Sequence, residues 1–189
     1  MDKKHIITIA GKPGSGKSTT SKNLAAKLGY KHFSSGDLFR AIGKDRGIDV
    51  LQTNITAETE KEIDYMVDEK LREIGTNDDE LVIDSRMAWH WMPYSFKVYL
   101  DLDLETAAKR ILAKVTPERA SAENIPNTPE GYAEQLQDRL DSEIRRYMNL
   151  YNQNPYDKSN YDLVVDTASN GPEEVVDAIL KSYESWSKE

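Results

Sequence analysis

Residues 11–18 combine glycine, lysine and serine in a spacing that suits phosphate binding. They read Gly-Lys-Pro-Gly-Ser-Gly-Lys-Ser, which fills every fixed position of the pattern G-x-x-x-x-G-K-[ST]. The glycines allow backbone N–H groups to wrap around phosphates, Lys17 is expected to reach the β- and γ-phosphates, and Ser18 is expected to hold Mg²⁺. A glycine-rich hairpin with a solvated lysine is the alternative. We predict a nucleoside triphosphate site whose contacts come from Gly11, Lys12, Pro13, Gly14, Ser15, Gly16, Lys17, Ser18 and Thr19.

Two further groups of polar residues follow strand-like runs of the sequence. Ser35, Asp37 and Arg40 follow one run, and Asp84 and Arg86 end another. Ligands bind at the carboxyl edge of open α/β sheets, so we expect Ser35, Asp37 and both arginines to contact a substrate. Asp84 is the expected second residue of the Mg²⁺ coordination shell, beside Ser18 of the glycine-rich phosphate-binding loop, or P-loop. The alternatives are that Ser35 or Asp37 only caps a helix and that Asp84 is an ordinary strand-terminal aspartate.

A polar segment with several prolines, residues 116–131, lies between two helical patterns that carry arginines. Arg110 precedes the segment, and Arg139, Arg145 and Arg146 follow it. Arg139 and Arg146 are seven residues apart and project from one helix face, where they could clamp a transferring phosphoryl group. They could equally pair with neighbouring acidic residues on a solvated helix, and the spacing leaves both interpretations open. We interpret residues 114–139 as a lid over the nucleotide rather than an exposed linker.

The elements that must position these residues alternate between strand and helix. The predicted strands are 5–10, 30–33, 81–84, 96–100 and 161–166, and the predicted helices are 17–28, 36–45, 57–74, 104–115, 132–151 and 172–186. Strands that alternate with helices predict a parallel sheet covered on both faces. The predicted fold is therefore α/β, of the P-loop NTPase type, with a five-stranded parallel sheet in one domain over residues 1–189.

Composition limits the function classes. The chain has 189 residues, a formal net charge of −8 and no cysteine, so disulfides and thiolate metal sites are excluded. No apolar run approaches the roughly 20 residues of a membrane-spanning helix, and no signal region precedes the first strand. The net negative charge disfavours a surface that binds along a nucleic acid. We expect a cytoplasmic monomer that acts on small molecules, without a nucleic-acid or membrane partner.

The order of these motifs resembles that of the nucleoside monophosphate kinases, and most of all the short, archaeal-type cytidylate kinases. The likeness is carried by residues 11–18, 34–40, 84–86, 110, 139–147 and 161–167, and thus spans nearly the whole chain. It implies transfer of a phosphoryl group from ATP, with Mg²⁺, to CMP or dCMP, without a covalent enzyme intermediate. Residues 36–79 would bind the acceptor. The resemblance implies catalytic roles for Lys17, Arg110, Arg139 and Arg146, and binding of the acceptor phosphate by Arg40 and Arg86.

The identity of the acceptor base rests on weaker signals. A cytosine-selective pocket must donate to N3 or the ring carbonyl and accept from the exocyclic amine, and Asp64 or another residue of the predicted 57–74 helix is the expected acceptor. Two alternative functions stay open: an adenylate kinase or shikimate-type kinase of the same architecture, and a P-loop switch that hydrolyses ATP slowly to regulate a partner.

Overall fold

The computed structural model describes residues 4–47 and 61–188, and within them the chain forms one parallel sheet. Its strands are β1 (Ile6–Gly11), β2 (Lys31–Ser34), β3 (Leu81–Asp84), β4 (Phe96–Asp101) and β5 (Leu163–Asp166). They pair in the order β2-β3-β1-β4-β5, and every pairing is parallel. The predicted five-stranded parallel sheet is confirmed, with every predicted strand end within about two residues of the observed one.

The helices of the described residues also follow the predicted alternation. They are α1 (Lys17–Leu28), α2 (Ser35–Asp45), α3 (Glu62–Asn77), α4 (Ala88–Trp91), α5 (Leu104–Leu112), α6 (Pro117–Ala122), α7 (Pro129–Tyr151) and α8 (Pro172–Trp186), with a 3₁₀ turn at Lys158–Asn160. Residues 57–60 of the predicted third helix lie outside the described residues. The short helices α4 and α6 were not predicted. None of the described helices is long and apolar enough to cross a membrane.

The side chains of β1 alternate between two hydrophobic layers, as the two-residue period of a strand requires. Ile7 and Ile9 pack on one face of the sheet with residues of α1 and α8, among them Leu24 and Ile179. Ile6 packs on the other face with residues of α3 and α4, including Leu71, Ala88 and Met92. Helices therefore cover both faces, and the loops that follow β1, β2 and β3 meet at one edge of the sheet.

Helix α3 lies unusually close to the connection between α4 and β4. A Cβ atom at Gly75 would come within 2.8 Å of the side chains of Met92 and Tyr94, so a larger residue there would force these side chains to move. The Tyr94 hydroxyl also donates a hydrogen bond of 2.7 Å to the Gly75 carbonyl. These contacts fix the carboxyl-terminal end of α3 against the sheet.

The segment at 116–131 is more ordered than its polar composition indicated. Thr116 caps α6 and Thr128 caps α7 through their side-chain oxygens. Between them, Ile125 is buried and belongs to a cluster that also contains Tyr132 of α7 and Ala107 of α5. The segment is therefore packed against α5 and α7, and its closure over a nucleotide stays a prediction.

Candidate active site

The P-loop between β1 and α1 adopts a conformation that depends on glycine. Gly11 has φ +147°, and a Cβ atom there would lie 2.4 Å from the carbonyl oxygen of Leu100. The partly buried Lys17 turns back into the loop, where its Nζ donates a 2.9 Å hydrogen bond to the carbonyl of Lys12. Burial and the nearby charge of Arg86 lower the pKa of Lys17 to about 8. The ammonium is therefore still mostly protonated at neutral pH and can bind phosphate.

The two predicted Mg²⁺ ligands meet directly. The Ser18 hydroxyl donates a 2.6 Å hydrogen bond to Oδ2 of Asp84, because β1 and β3 are neighbours and Ile9 pairs with Asp84 in their register. Asp84 is buried, and its carbonyl accepts a hydrogen bond of 3.3 Å from Ser35. A hydroxyl and a carboxylate side by side are the hard oxygen donors that Mg²⁺ prefers, with phosphate oxygens and water completing its shell. The residues present therefore fit a Mg²⁺ ion.

Glu143 of α7 joins arginines from two parts of the chain. Its carboxylate lies 2.7 Å from Nε of Arg86 and 3.1 Å from Nε of Arg139. The Tyr156 hydroxyl donates to the same carboxylate and accepts a 3.3 Å hydrogen bond from Arg86. Burial alone would raise the pKa of Glu143, but the guanidiniums of Arg86 and Arg139 outweigh it and lower the pKa to about 2. We call Arg86, Arg139, Glu143 and Tyr156 the arginine cluster.

A second ion pair lies one turn further along α7. Nε of Arg146 is 3.3 Å from Oδ2 of Asp64 on α3, and both side chains are largely buried. Burial raises the pKa of Asp64 to about 6, although the positive charge of Arg146 lowers it in part. Arg145, by contrast, is exposed. Arg146 is thus largely buried, whereas Arg139 is exposed, and both pair with acidic residues. Their spacing predicted a shared helix face, and whether they clamp a phosphoryl group stays a prediction.

A single cavity, here called the acceptor cavity, is lined by Arg86, Arg139 and Glu143 of the arginine cluster and by the Asp64–Arg146 pair. Arg40 of α2 and Asp68 of α3 also line it, and its apolar wall consists of Phe39, Val67, Leu71 and Met87. Its free volume is about 100 Å³, which is small beside the roughly 300 Å³ of the smaller ligand pockets. A nucleotide could therefore enter only if the walls move apart.

The predicted residues at the start of α2 are only partly brought together. Ser35 and Arg40 line the acceptor cavity, whereas Asp37 is not among its lining residues. Asp37 instead forms an ion pair with Arg40. The expectation that Ser35 or Asp37 caps the helix was wrong, because Ser34 accepts the capping hydrogen bond from the Asp37 backbone. The helix begins one residue earlier than predicted, which moves the cap to the last residue of β2.

Arg110 lies in a different pocket from Arg139 and Arg146. It donates a 2.6 Å hydrogen bond to the carbonyl of Thr167, after β5. The pocket there has a free volume of about 480 Å³ and is also lined by P-loop residues, by Lys114 and by Arg119 of α6. We call it the donor pocket. The arginines predicted to act together are thus divided between two pockets.

Sequence reasoning missed several residues of these pockets. Glu143 was one of the acidic residues that could pair with the arginines on a solvated helix. It lies four residues after Arg139 and three before Arg146, which puts all three on one helix face. Tyr156 and Arg119 carried no signal in the sequence, since each reaches its pocket through the tertiary fold.

Comparisons with known proteins agree with this geometry. A family model described as an AAA domain matches residues 7–129. The chain is 40% identical to a cytidylate kinase of Haloarcula marismortui over 96% of this chain and 91% of that protein. It is 34% identical to a cytidylate kinase of Sulfurisphaera tokodaii over 94% of each chain.

Solved structures of low identity share the fold. A shikimate kinase from Aquifex aeolicus superposes with a TM-score of 0.61 at 22% identity, covering 95% of this chain and 96% of that one. A shikimate kinase from Bacteroides thetaiotaomicron gives a TM-score of 0.67 at 14% identity, covering 95% and 98%. These likenesses establish a P-loop kinase fold, whereas the more similar sequences match along nearly their whole length. The chain belongs to the cytidylate kinase family.

Proposed function

We propose that the protein transfers the γ-phosphoryl group of ATP to CMP or dCMP, giving ADP and CDP or dCDP. The observation that carries the proposal is the acceptor cavity, where Arg40, Arg86 and Arg139 converge from three different elements. Planar guanidiniums bind phosphate oxygens in pairs, and the charge of Arg86 acts on the P-loop lysine. Similarity to cytidylate kinases over nearly the whole chain supports cytosine as the base.

On the donor side, the P-loop amides and Lys17 hold the β- and γ-phosphates of ATP. Ser18 and Asp84 hold Mg²⁺, which when bound neutralises charge on the phosphates. Arg110 and the rest of the donor pocket surround the remainder of ATP. The catalytic role predicted for Arg110 would therefore act on the donor nucleotide rather than on the acceptor. These residues position the γ-phosphorus and stabilise the charge that develops around it.

On the acceptor side, Arg40 and Arg86 hold the α-phosphate of the monophosphate. One of its oxygens attacks the γ-phosphorus while the bond to the β-phosphate oxygen breaks, so ADP leaves and no covalent enzyme intermediate forms. Arg139 and Arg146 neutralise charge on this side of the transfer. In the described structure Glu143 balances Arg86 and Arg139, so the phosphate competes with an internal carboxylate for the same guanidiniums.

We also propose that the enzyme acts in the cytoplasm, as a monomer, on free nucleotides. The formal net charge of −8 supports small-molecule substrates over a nucleic acid, since positive charge is needed to bind a phosphate backbone. Local arginines, rather than the overall charge, provide the phosphate sites.

A coupled assay for ADP with a panel of acceptors tests this function. We expect CMP and dCMP to be the best acceptors, UMP weaker and AMP poor, with little ATP consumed when no acceptor is present. Lys17→Ala should lower turnover about 100-fold or more, with an unchanged circular dichroism spectrum. AMP used tenfold better than CMP would indicate an adenylate kinase, and acceptor-independent hydrolysis would indicate a switch ATPase.

A further inference from the structure

The charged contacts around the acceptor cavity give it two distinct ends. At one end, Arg86 follows Asp84, the hydrogen-bond partner of Ser18, by two residues, and Glu143 joins Arg86 to Arg139. At the other end, Arg146 pairs with Asp64 two helical turns beyond Arg139 on α7. Because the acceptor's phosphate must reach the donor phosphate held by the P-loop, it belongs beside Arg86 and Arg139. The base then points toward Asp64 and Arg146.

Asp64 and Arg146 have unused hydrogen-bonding capacity at this base end. Oδ2 of Asp64 and Nε of Arg146 are both buried and make no hydrogen bond within residues 4–47 and 61–188, although they lie 3.3 Å apart as an ion pair. Asp64 is only 5% exposed. Buried polar atoms of this kind carry a free-energy cost unless a partner satisfies them. Both residues line the acceptor cavity, so a bound base can supply that partner.

Asp68, one turn further along α3, provides the contrast. Its Oδ1 accepts a 2.9 Å hydrogen bond from the Trp91 indole, and its Oδ2 accepts one from the Tyr151 hydroxyl. Both oxygens of Asp68 are therefore committed to the protein. Of these two buried carboxylates, Asp64 is the one with an oxygen available to a ligand.

Building on the proposed function, we propose that Asp64 and Arg146 read the acceptor base and that ionised Asp64 excludes uracil whereas its protonated form admits it. Cytosine presents an amine that a carboxylate can accept from, together with a ring carbonyl to which Arg146 can donate. Uracil has a second carbonyl where cytosine has the amine. Neither that carbonyl nor an ionised carboxylate carries a proton to donate, so no hydrogen bond forms between them. A protonated carboxyl donates to the uracil carbonyl, and it can also pair with cytosine through its own carbonyl oxygen.

The surroundings of Asp64 allow this change of protonation near neutral pH. Burial raises the pKa of Asp64 to about 6, with the charges of Asp68 and Glu143 raising it and those of Arg146 and Arg86 lowering it. The groups that face it come from α3, α7 and the β3–α4 connection, and Arg40 of α2 and Tyr147 of α7 line the same cavity. As the pH rises through this range, the carboxyl loses its proton and the cavity loses its ability to donate to uracil.

The test is the ratio of kcat/KM for CMP to kcat/KM for UMP, measured from about pH 5 to about pH 8. This ratio cancels the ionisation of the acceptor phosphate, of ATP and of Lys17, since these are common to both reactions, and kcat/KM reports groups of the free enzyme. We expect the ratio to rise about tenfold with pH in the wild-type enzyme. Asp64→Asn, which stays neutral, should give a low ratio that does not change with pH.

Asp68→Asn is the matched control, because it removes a buried carboxylate from the same face of α3. The rise of the ratio with pH should persist in this variant, with its midpoint moved to lower pH, because a neighbouring charge that raises the pKa of Asp64 is gone. A wild-type ratio that is constant over the pH range would overturn the proposal, and so would an Asp68→Asn ratio that no longer changes. The wild-type profile needs no variant to fold. If no monophosphate accelerates ATP consumption at any pH, the proposed function itself fails, which is a different result from efficient but pH-independent use of CMP.

Discussion

Single side chains hold the arginines that we propose bind phosphate in place before any substrate arrives. Arg86 is the clearest case, because its Nε contacts both the carboxylate of Glu143 and the hydroxyl of Tyr156. A guanidinium that is already oriented loses less conformational entropy when phosphate binds. Tyr156 touches Arg86 and Glu143, so we regard it as a positioning residue.

We predict that Tyr156→Phe raises KM for CMP about fivefold and leaves KM for ATP nearly unchanged. The variant loses one hydroxyl, which removes a hydrogen bond to Glu143 and one from Arg86, each worth about 1 kcal/mol. Steady-state kinetics with each substrate varied in turn will measure the effect.

Tyr161→Phe is the control for this prediction. The Tyr161 hydroxyl donates a 2.6 Å hydrogen bond to the Pro155 carbonyl, next to Tyr156 in the chain, and has no hydrogen bond to the arginine cluster. Equal changes of KM for CMP in both variants would mean that Tyr156 acts only by holding its loop together.

The sequence predicted the residues of the P-loop and the Ser18–Asp84 pair because each follows from position along a strand or loop. Their direct contact depends on β1 and β3 being neighbours, a strand order that the alternation of strands and helices does not specify by itself. Tyr156 could not be predicted in this way, because it lies in an irregular connection and reaches Glu143 only through the tertiary fold. Asp37 was predicted from its position at the sheet edge, where it pairs with Arg40 and is not among the residues that line the cavity, so its contact with a substrate stays a prediction.

At the scale of elements, α7 gives the acceptor cavity its charge. Leu136, Leu140 and Tyr147 of this helix are buried, and Glu143 is the buried carboxylate on the same helix. A buried charge is tolerated only when it is paired and hydrogen-bonded. Glu143 meets that condition through Arg86, Arg139 and Tyr156.

We predict that Glu143→Gln lowers the free energy of unfolding by about 2 kcal/mol at neutral pH, because it leaves the partly buried Arg86 and the more exposed Arg139 without their shared counter-charge. The native pKa of Glu143, about 2, lies below the ordinary value of about 4.3, so its ionised form stabilises the fold. This stabilisation is fully present above the ordinary pKa and is lost as the pH falls toward 2. The difference between wild type and variant should therefore shrink below about pH 4, as measured by urea unfolding at several pH values.

Glu105→Gln provides the comparison for Glu143→Gln. Glu105 forms an exposed pair with Lys109 on α5, and exposed pairs contribute little to stability because solvent screens them. If both variants lose the same small amount of stability, the arginine cluster does not stabilise the fold.

The long elements were predictable and the short ones were not. Buried parallel strands are continuous apolar runs, and α1 and α8 match their predicted bounds because a glycine ends the former and a proline begins the latter. The four residues of α4 are too few for a helical period to show. For α7, Thr128 and Pro129 mark a start three residues before the predicted one, which a closer weighing of capping residues could have found.

At the scale of the whole molecule, the P-loop lies between the two pockets. The donor pocket is lined by Gly14, Thr19 and the loop after β5, while the acceptor cavity is formed by α2, α3 and α7. Ligands that bind only the native state stabilise it by a free energy that rises with the logarithm of their concentration over Kd.

We predict that a non-hydrolysable ATP analogue with Mg²⁺ at about 100 times its Kd raises Tm by roughly 5–10 °C. Removing Mg²⁺ with a chelator should reduce this shift, since Ser18 and Asp84 would then lose their share of the contact. Ser18→Ala should show a smaller effect of the chelator in the same thermal scans. An equal effect of the chelator in both proteins would argue against Ser18 as a Mg²⁺ ligand.

Helix α7 has 23 residues and is thus about 35 Å long. Its first turns pack with α5 and Ile125 beside the donor pocket, and its later turns carry Glu143 and Arg146 into the acceptor cavity. Because a helix moves as one rod, a shift of its acceptor end to admit CMP also shifts its donor end. The consequence is thermodynamic linkage between the two substrates: each should tighten binding of the other, and by the same factor, so the thermal stabilisation by CMP and the ATP analogue together should exceed the sum of their separate effects.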